Sequence, residues 1–292
     1  MFTEDGTDGG GSGESGDTGA TGFIAPDDIA GQLDSVVYNP GDPATGEPAT
    51  LEVTGLPFDD GDLSAEYTRD ESLDVPGFQA FTGQARSGSR HYTVLVSEQD
   101  GILVATSGSG FRGTFFGGAN FARQNTFSRP RDSDLSGPNP TVGNVEYRGA
   151  YAGVINAATN GGPGVSRIVR TSGDISVTAD FTDNQVQEGT ITNRRFEDPV
   201  VIGDTSGGII SLPAGTALEN LNFESTTLES NGTFTGNVLN LDRDTVGSYA
   251  GAFAGERAPA VGGVIRAEGH IEALDNAEGP TIFEDGVFTA TR

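Results

Sequence analysis

The residues with the greatest capacity for acid–base or metal chemistry are two histidines, His91 and His270. A His-rich zinc or haem site needs several histidines, and a Ser-His-Asp site needs a nucleophile elbow that this sequence lacks. Period-two alternation places His270 on one strand face with Arg266 and Glu268, so we expect it to be exposed to solvent. His91 opens a strand, and we expect it at an ordinary edge position. The sequence therefore predicts no catalytic residue and no histidine metal ligand.

Clustered charges are the second candidate for chemistry. The turns Asp59-Asp60-Gly61-Asp62 and Asp132-Ser133-Asp134 carry calcium-type ligands, but neither has the EF-hand spacing with its terminal Glu. With 42 acidic residues, close carboxylate pairs are unavoidable and are no evidence for glycoside hydrolysis. We interpret the turns as solvated and expect the basic pair Arg194-Arg195 to bind nearby carboxylates. We predict no metal site, no cofactor-binding residue and no cofactor.

The overall charge excludes several classes of partner. The chain of 292 residues has a formal net charge of −26, and every basic residue is Arg. A field of this sign repels phosphate and anionic lipid, so we expect no nucleic-acid partner.

The absence of Cys excludes disulfides, thiolate metal sites and cysteine nucleophiles. No stretch approaches about 20 apolar residues, so we expect no transmembrane span.

The elements that would position any site are short strands. The chain has 45 Gly residues without a collagen period, spread among Val, Ile, Thr, Phe and Tyr. Residues 91–96 and 102–106 predict a hairpin joined across Asp100-Gly101. In residues 173–181, Ile175, Val177, Ala179 and Phe181 alternate with Asp174, Ser176, Thr178 and Asp180, which predicts a strand with one wet face. Further strands at roughly 8 to 12 residue spacing indicate an all-β sandwich or barrel.

A short pattern of alternating aromatic and glycine residues occurs three times. Its copies begin at Phe111, Tyr147 and Tyr249, and each places aromatic side chains and glycines on one strand face. Large and small residues alternating on the inward face suit the tight coiling of a small barrel. We therefore interpret these strands as structural.

The third copy carries a resemblance to a known family. The run SYAGAFAGERAPAVGGVI at 248–265 resembles the Gly-x-Phe-x-Gly-x-x-Ala-x-x-x-Gly-Gly signature of the eight-stranded barrels in transferrin-binding protein B, factor H-binding protein and related surface lipoproteins. The hairpin at 175–193 and the strand at 230–238 are similar to the strands that precede this signature in the family. The similarity covers residues 144–291, and this chain departs from the family at Ala254 and at Glu256-Arg257.

The resemblance implies a domain organisation. We predict a disordered Gly/acidic tether at 1–22, a smaller handle-like β-rich domain at 23–134 and an eight-stranded antiparallel β-barrel at 141–292. The Pro-rich stretch 130–140 is the predicted boundary. The family's signal peptide and lipidated Cys are missing from this sequence, so a lipid anchor at an N-terminal Cys is implied by the resemblance alone.

The resemblance also implies a function. It points to a non-enzymatic module, secreted or displayed on the bacterial outer membrane, that captures a host or environmental protein in iron or haem acquisition. We expect loops to carry the binding, with candidates at 56–73, 111–131, 194–208 and 241–248. The alternative is a structural or decoration protein of a cell envelope, filament or virion. An enzyme ranks third, and a deep pocket with converging ionisable groups would favour it.

Overall fold

A computed structural model describes residues 25–57, 64–86, 89–109, 115–131, 143–156, 168–203, 209–271 and 282–292. The tether predicted at 1–22 and the acidic turns at 59–62 and 132–134 lie outside these residues. Almost every regular element is a β-strand. The helical elements of the described part are α1, Asp27–Ala30, and a 3-10 turn at Glu71–Leu73. No helix in the described part is long and apolar enough to cross a membrane.

The first half of the chain forms a seven-stranded antiparallel sheet in which the strands follow chain order. Its strands are β1 Ser35–Asn39, β2 Thr50–Thr54, β3 Ser64–Arg69, β4 Gln79–Gln84, β5 His91–Gln99, β6 Ile102–Ser109 and β7 Gly117–Arg123. The predicted hairpin is β5–β6. Its turn residues Asp100 and Gly101 both have positive φ, 48° and 83°, as a two-residue hairpin turn requires.

The second half forms a closed antiparallel barrel. Around it run β8, β9, β10, β13, β15, β16, β17 and β18, and closure comes from the β10–β13 pairing of Gly189 with Phe223 and Ile191 with Leu221. The bounds of these eight strands are Asn144–Asn156, Val169–Asp180, Gln185–Phe196, Leu221–Phe223, Thr233–Leu239, Thr245–Ala254, Ala260–Glu268 and Phe283–Thr291. A hairpin of β11 Val200–Gly203 and β12 Ile209–Leu212 and the short β14 Thr226–Thr227 complete the strands. The eight-stranded barrel predicted from the sequence is confirmed.

Aromatic side chains fill the barrel, as the alternating aromatic–glycine pattern predicted. Tyr147, Tyr151, Tyr249 and Phe253, all from the second and third copies of the pattern, have no solvent exposure and belong to the interior cluster. Their polar atoms are satisfied: Tyr147 Oη donates to Ala258 O at 2.8 Å and Tyr249 Oη to Glu224 O at 2.6 Å. The first copy lies partly outside the described residues, and its Gly117 begins β7 of the sheet rather than a barrel strand.

The alternation predicted for β9 holds except at its end. Ile175, Val177 and Ala179 are buried in the barrel, and Asp174 on the other face is exposed. Asp180 was predicted on the wet face, and that prediction is wrong because its carboxylate is buried under the following turn. Its Oδ1 atom accepts hydrogen bonds from the backbone N–H groups of Thr182 (2.8 Å) and Asp183 (3.0 Å), which makes it a turn cap.

The seven-stranded sheet packs on the outer wall of the barrel. A continuous hydrophobic cluster joins residues of β6 and β7, among them Val104 and Phe121, with outward-facing barrel residues such as Ala252, Val264 and Val287. The opposite face of the sheet covers its own second core, which includes Val36, Leu51 and Tyr92. Because one apolar cluster joins the two sheets, the separation of 23–134 and 141–292 into domains stays a prediction.

Candidate functional site

A charged cluster lies inside one end of the barrel. Glu284 has no exposure, and its carboxylate accepts hydrogen bonds from Arg194 Nη2 (2.5 Å), Tyr151 Oη (2.7 Å) and Thr171 Oγ1 (2.5 Å). The Nε2 atom of His270 lies 2.7 Å from Glu284 Oε2. We call Tyr151, Thr171, Arg194, His270 and Glu284 the Glu284 cluster. It lies at the end where β8, β10, β15 and β17 finish and where β9, β16 and β18 begin, and we call this the Glu284 end.

Local backbone features aim two of these side chains inward. The register of β10 shifts between Thr192 and Arg195, with Asn193 at a φ of 52°, and this bulge turns Arg194 into the barrel. Gly269 follows β17 with a φ of 59° and breaks the strand alternation before His270. The exposed position predicted for His270 is therefore wrong: the residue is 4% exposed.

A glycine leaves room for the cluster's tyrosine. A Cβ atom at Gly286, which faces inward between Glu284 and Phe288, would lie 2.2 Å from Tyr151 Oη. Burial raises the pKa of Tyr151 well above its ordinary range. The hydroxyl therefore stays protonated and acts as the donor to Glu284.

Glu284 is ionised despite its burial. Burial alone would raise the pKa of its carboxyl. The Arg194 charge and the hydrogen bonds from His270 and Thr171 outweigh burial and hold the pKa of Glu284 well below its usual range. Both oxygens of this carboxylate are occupied by its four neighbours, and these contacts hold Arg194 and His270 in place.

The other charged residues singled out from the sequence lie elsewhere. His91 is exposed at the start of β5. Arg195 pairs with Glu197 (Nε–Oε1 2.9 Å), whereas its neighbour Arg194 is the buried partner of Glu284. Within the described ranges, no three His, Asp or Glu side chains lie together as metal ligands would.

The Glu284 end also carries two of the four predicted binding loops. The segment 241–248 joins β15 to β16, and the segment 194–208 leads from the end of β10 into β11. Leu241, in the first of these, is 58% exposed, and Val37 on β1 is the other large hydrophobic side chain exposed in the described part. All four predicted loops are wrong in part, since they contain strand residues: β3 in 56–73, β7 in 111–131, β11 in 194–208 and the start of β16 in 241–248.

Another buried carboxylate, that of Asp285, lies where the sheet meets the barrel. Asp285 is 1% exposed, and neither carboxyl oxygen has a hydrogen-bond partner among the residues that the structure describes. Arg266 Nη1 lies 3.7 Å from its Oδ1 atom. Burial raises the pKa of Asp285 to about 7, with a smaller upward contribution from Glu284, against the downward effect of Arg266.

This carboxyl makes stability depend on pH. Its folded pKa of about 7 exceeds the ordinary value of 3.8, so the folded state retains a proton that the unfolded chain has released. Between these two pKa values, the free energy of unfolding therefore falls as pH rises, because the folded state must give up this proton or keep it at increasing cost. Between about pH 5 and about pH 7.5, wild type should lose about 2 to 3 kcal/mol relative to Asp285→Asn. Urea unfolding of both proteins at the two pH values measures this difference.

A matched control is Glu268→Gln, which removes an exposed carboxylate from the end of the neighbouring strand. We expect its pH dependence to parallel that of wild type. Parallel curves for Asp285→Asn and wild type would contradict the protonated, buried state of Asp285.

Two comparisons with known proteins find no match: no protein-family model and no curated protein matches this chain. Among solved structures, the chain is similar to a double mutant of the vaccine antigen transferrin-binding protein B from Haemophilus parasuis Hp5. The identity is 11% and the TM-score 0.40, over 89% of this chain and 53% of that one. Intact Ap-TbpB, with its N and C lobes, matches at 11% identity and a TM-score of 0.39, over 83% and 51% of the two chains. The chain thus spans about half the length of each structure. Both are transferrin-binding protein B, which the motif at 248–265 resembles, and the likeness is one of fold alone.

Proposed function

We propose that this chain is a non-enzymatic binding or adhesion module, secreted or displayed on a bacterial cell surface, that captures a protein through the loops at the Glu284 end. One observation carries this proposal: Leu241 is 58% exposed at the tip of a turn there. The backbone of this turn is fixed by hydrogen bonds from Arg243 N and Asp244 N to Asn240 O (3.2 Å) and Asn240 Oδ1 (2.8 Å). An exposed apolar side chain on a turn with a fixed backbone suits an anchor in a protein–protein interface.

The barrel itself supports loops as the binding elements. Its strands close through β10 and β13, so the sheet has no free edge for pairing with another chain. The seven-stranded sheet covers part of the outer wall. The turns at the ends therefore remain as elements that vary without disturbing the core.

The Glu284 cluster also supports a non-enzymatic role. Catalysis by an activated hydroxyl needs a nucleophile within hydrogen-bond reach of a base. The hydroxyl of Thr171 donates to Glu284, but the pKa of that carboxyl lies well below its usual range, so it is a weak base. The hydroxyl of Thr216 donates to Pro213 O at 2.7 Å. Surface display and a lipid anchor rest on the sequence resemblance, and they remain part of the proposal.

A capture experiment tests this function. We expect immobilised wild-type protein to retain a small set of proteins from the natural growth medium, and Leu241→Asp to retain them at least about tenfold less well, since a charge there opposes burial of the turn. Retained proteins are quantified by mass spectrometry, and the melting temperature of the variant should match that of wild type.

Val37→Asp is the matched control, because it places the same charge at the other exposed hydrophobic position, on the sheet rather than the Glu284 end. It should capture proteins as wild type does. Equal capture by all three proteins would contradict the assigned surface. Retention of envelope, filament or virion components alone would favour the structural alternative.

A further inference from the structure

A groove lies at the Glu284 end, where α1 packs on the outer wall of the barrel. It has a volume of about 400 Å³, which is within the range of ligand-binding sites. Both halves of the chain line it, since Asp28 belongs to α1 and the other residues to the start of β16 and the end of β17. These are Thr245, Val246, Gly247, Ser248, Arg266 and Glu268. The turn that carries Leu241 leads directly into β16, so the groove adjoins the surface to which we assign protein capture.

The unpaired charges of the groove are negative. Asp28 and Glu268 are exposed, and within the described part of the chain neither carboxylate has a hydrogen bond or an ion pair. Arg266 carries the opposite charge, but its Cζ atom lies 4.4 Å from the ring centroid of Phe283 and its Nη1 atom 3.7 Å from Asp285 Oδ1. The groove therefore offers a ligand two carboxylates without partners, beside one guanidinium that is already engaged.

The lining suits an organic cation rather than a metal ion. A calcium site needs several oxygen ligands around one ion, and among the described residues no three His, Asp or Glu side chains lie together. An arginine side chain has an apolar stem and a planar head with five N–H donors. Val246 supplies apolar surface for the stem. The carboxylates of Asp28 and Glu268 and the hydroxyls of Thr245 and Ser248 supply acceptors for the head.

We propose that this groove receives an arginine side chain of the captured protein, so that Leu241 and the groove form one surface for a partner with adjacent apolar and basic residues. This inference rests on the function proposed above and adds the chemistry of the partner. Leu241 precedes Thr245 by four positions, which an extended chain spans in at most about 13 Å, well within an interface of standard size. The net charge of −26 favours encounter with a basic surface.

N-acetyl-arginine methylamide is the probe, and its citrulline counterpart is the matched comparison, because citrulline has a similar shape without the charge. We expect the arginine probe to shift the backbone amide signals of Val246, Ser248 and Glu268 in two-dimensional NMR of the full chain. The citrulline probe should bind about fivefold more weakly, since it forms no ion pair with either carboxylate. Equal affinities for the two probes, or no shifts at these residues, would overturn the proposal.

Two double variants separate the groove from the overall charge. Asp28→Asn/Glu268→Gln removes both carboxylates with little change in shape, and it should weaken binding of the arginine probe about fivefold. Glu52→Gln/Glu66→Gln is the control, because it removes two exposed carboxylates from the seven-stranded sheet and changes the net charge equally. It should leave binding of the probe unchanged. Equal weakening in both double variants would assign the attraction to net charge and overturn the site.

Protein capture distinguishes this inference from the proposed function. Asp28→Asn/Glu268→Gln should retain the captured proteins about fivefold less well than wild type, whereas Leu241→Asp should leave binding of the arginine probe unchanged. Capture at the wild-type level by the double variant would overturn the groove and leave the role of Leu241 intact. If wild type captures no protein but the arginine probe binds as described, the proposed function fails and the specificity of the groove for arginine stands.

Discussion

Phe253→Ala should lower the free energy of unfolding by about 3 to 5 kcal/mol, the range for removing a large aromatic side chain from a packed core. Phe253 has no exposure and lies at the centre of the aromatic cluster in the barrel. Its ring centroid lies 5.1 Å from that of Phe181, 5.2 Å from that of Tyr147 and 5.4 Å from that of Phe234. Neighbours on several sides prevent the site from collapsing onto the smaller residue, so the cavity persists. Urea unfolding monitored by circular dichroism measures the loss.

Phe283→Ala is the control, since it makes the same chemical change at a half-buried position on β18. Its ring packs against Phe115 and under Arg266 near the edge of the barrel. We expect it to cost less than half as much, because less surface is removed from a site that solvent can refill. Equal losses for the two variants would contradict the barrel interior described above.

The inner face of the barrel was predictable from the sequence because side-chain alternation is a local property of a strand. The order Tyr147, Gly149, Tyr151 and Gly153 indicates the inward face of β8 without any knowledge of its neighbours. The outer face was not predictable in the same way. Outward positions such as Ala252 and Val264 are buried only because a sheet distant in sequence packs on them. Continuous apolar character through β16 and β17 was the available signal, and it indicates burial on both faces.

The Glu284 cluster was missed because two of its members depart from strand alternation. Arg194 turns inward at a bulge and His270 after Gly269, and neither feature follows from residue periodicity. One signal was present in the sequence. Glu284 shares the inward face of β18 with Gly286, Phe288 and Ala290. A charged residue on that face requires a buried partner. Finding the partner required the structure.

The second large effect on stability is expected at the buried ion pair between Arg194 and Glu284. The side chains of Arg194 and Glu284 have no solvent exposure and lie 2.5 Å apart (Nη2–Oε2). A buried ion pair adds little net stability relative to apolar residues, but removal of one partner leaves a buried charge without compensation. The free energies of single and double variants are therefore expected to be strongly non-additive.

Arg194→Met should destabilise the protein by about 3 to 5 kcal/mol at neutral pH, since Glu284 would be buried without its compensating charge. Without Arg194, burial raises the pKa of Glu284 above its unfolded value, so the variant should regain stability as pH falls toward that pKa, opposite to the trend of this carboxyl in wild type. The double variant Arg194→Met/Glu284→Gln has no buried charge at position 284. It should recover most of the lost stability at neutral pH, and its stability should not rise on acidification. Urea unfolding at neutral and mildly acidic pH measures both effects. A loss under about 1 kcal/mol for Arg194→Met would show that water reaches Glu284 in solution and that the cluster is not sealed inside the barrel.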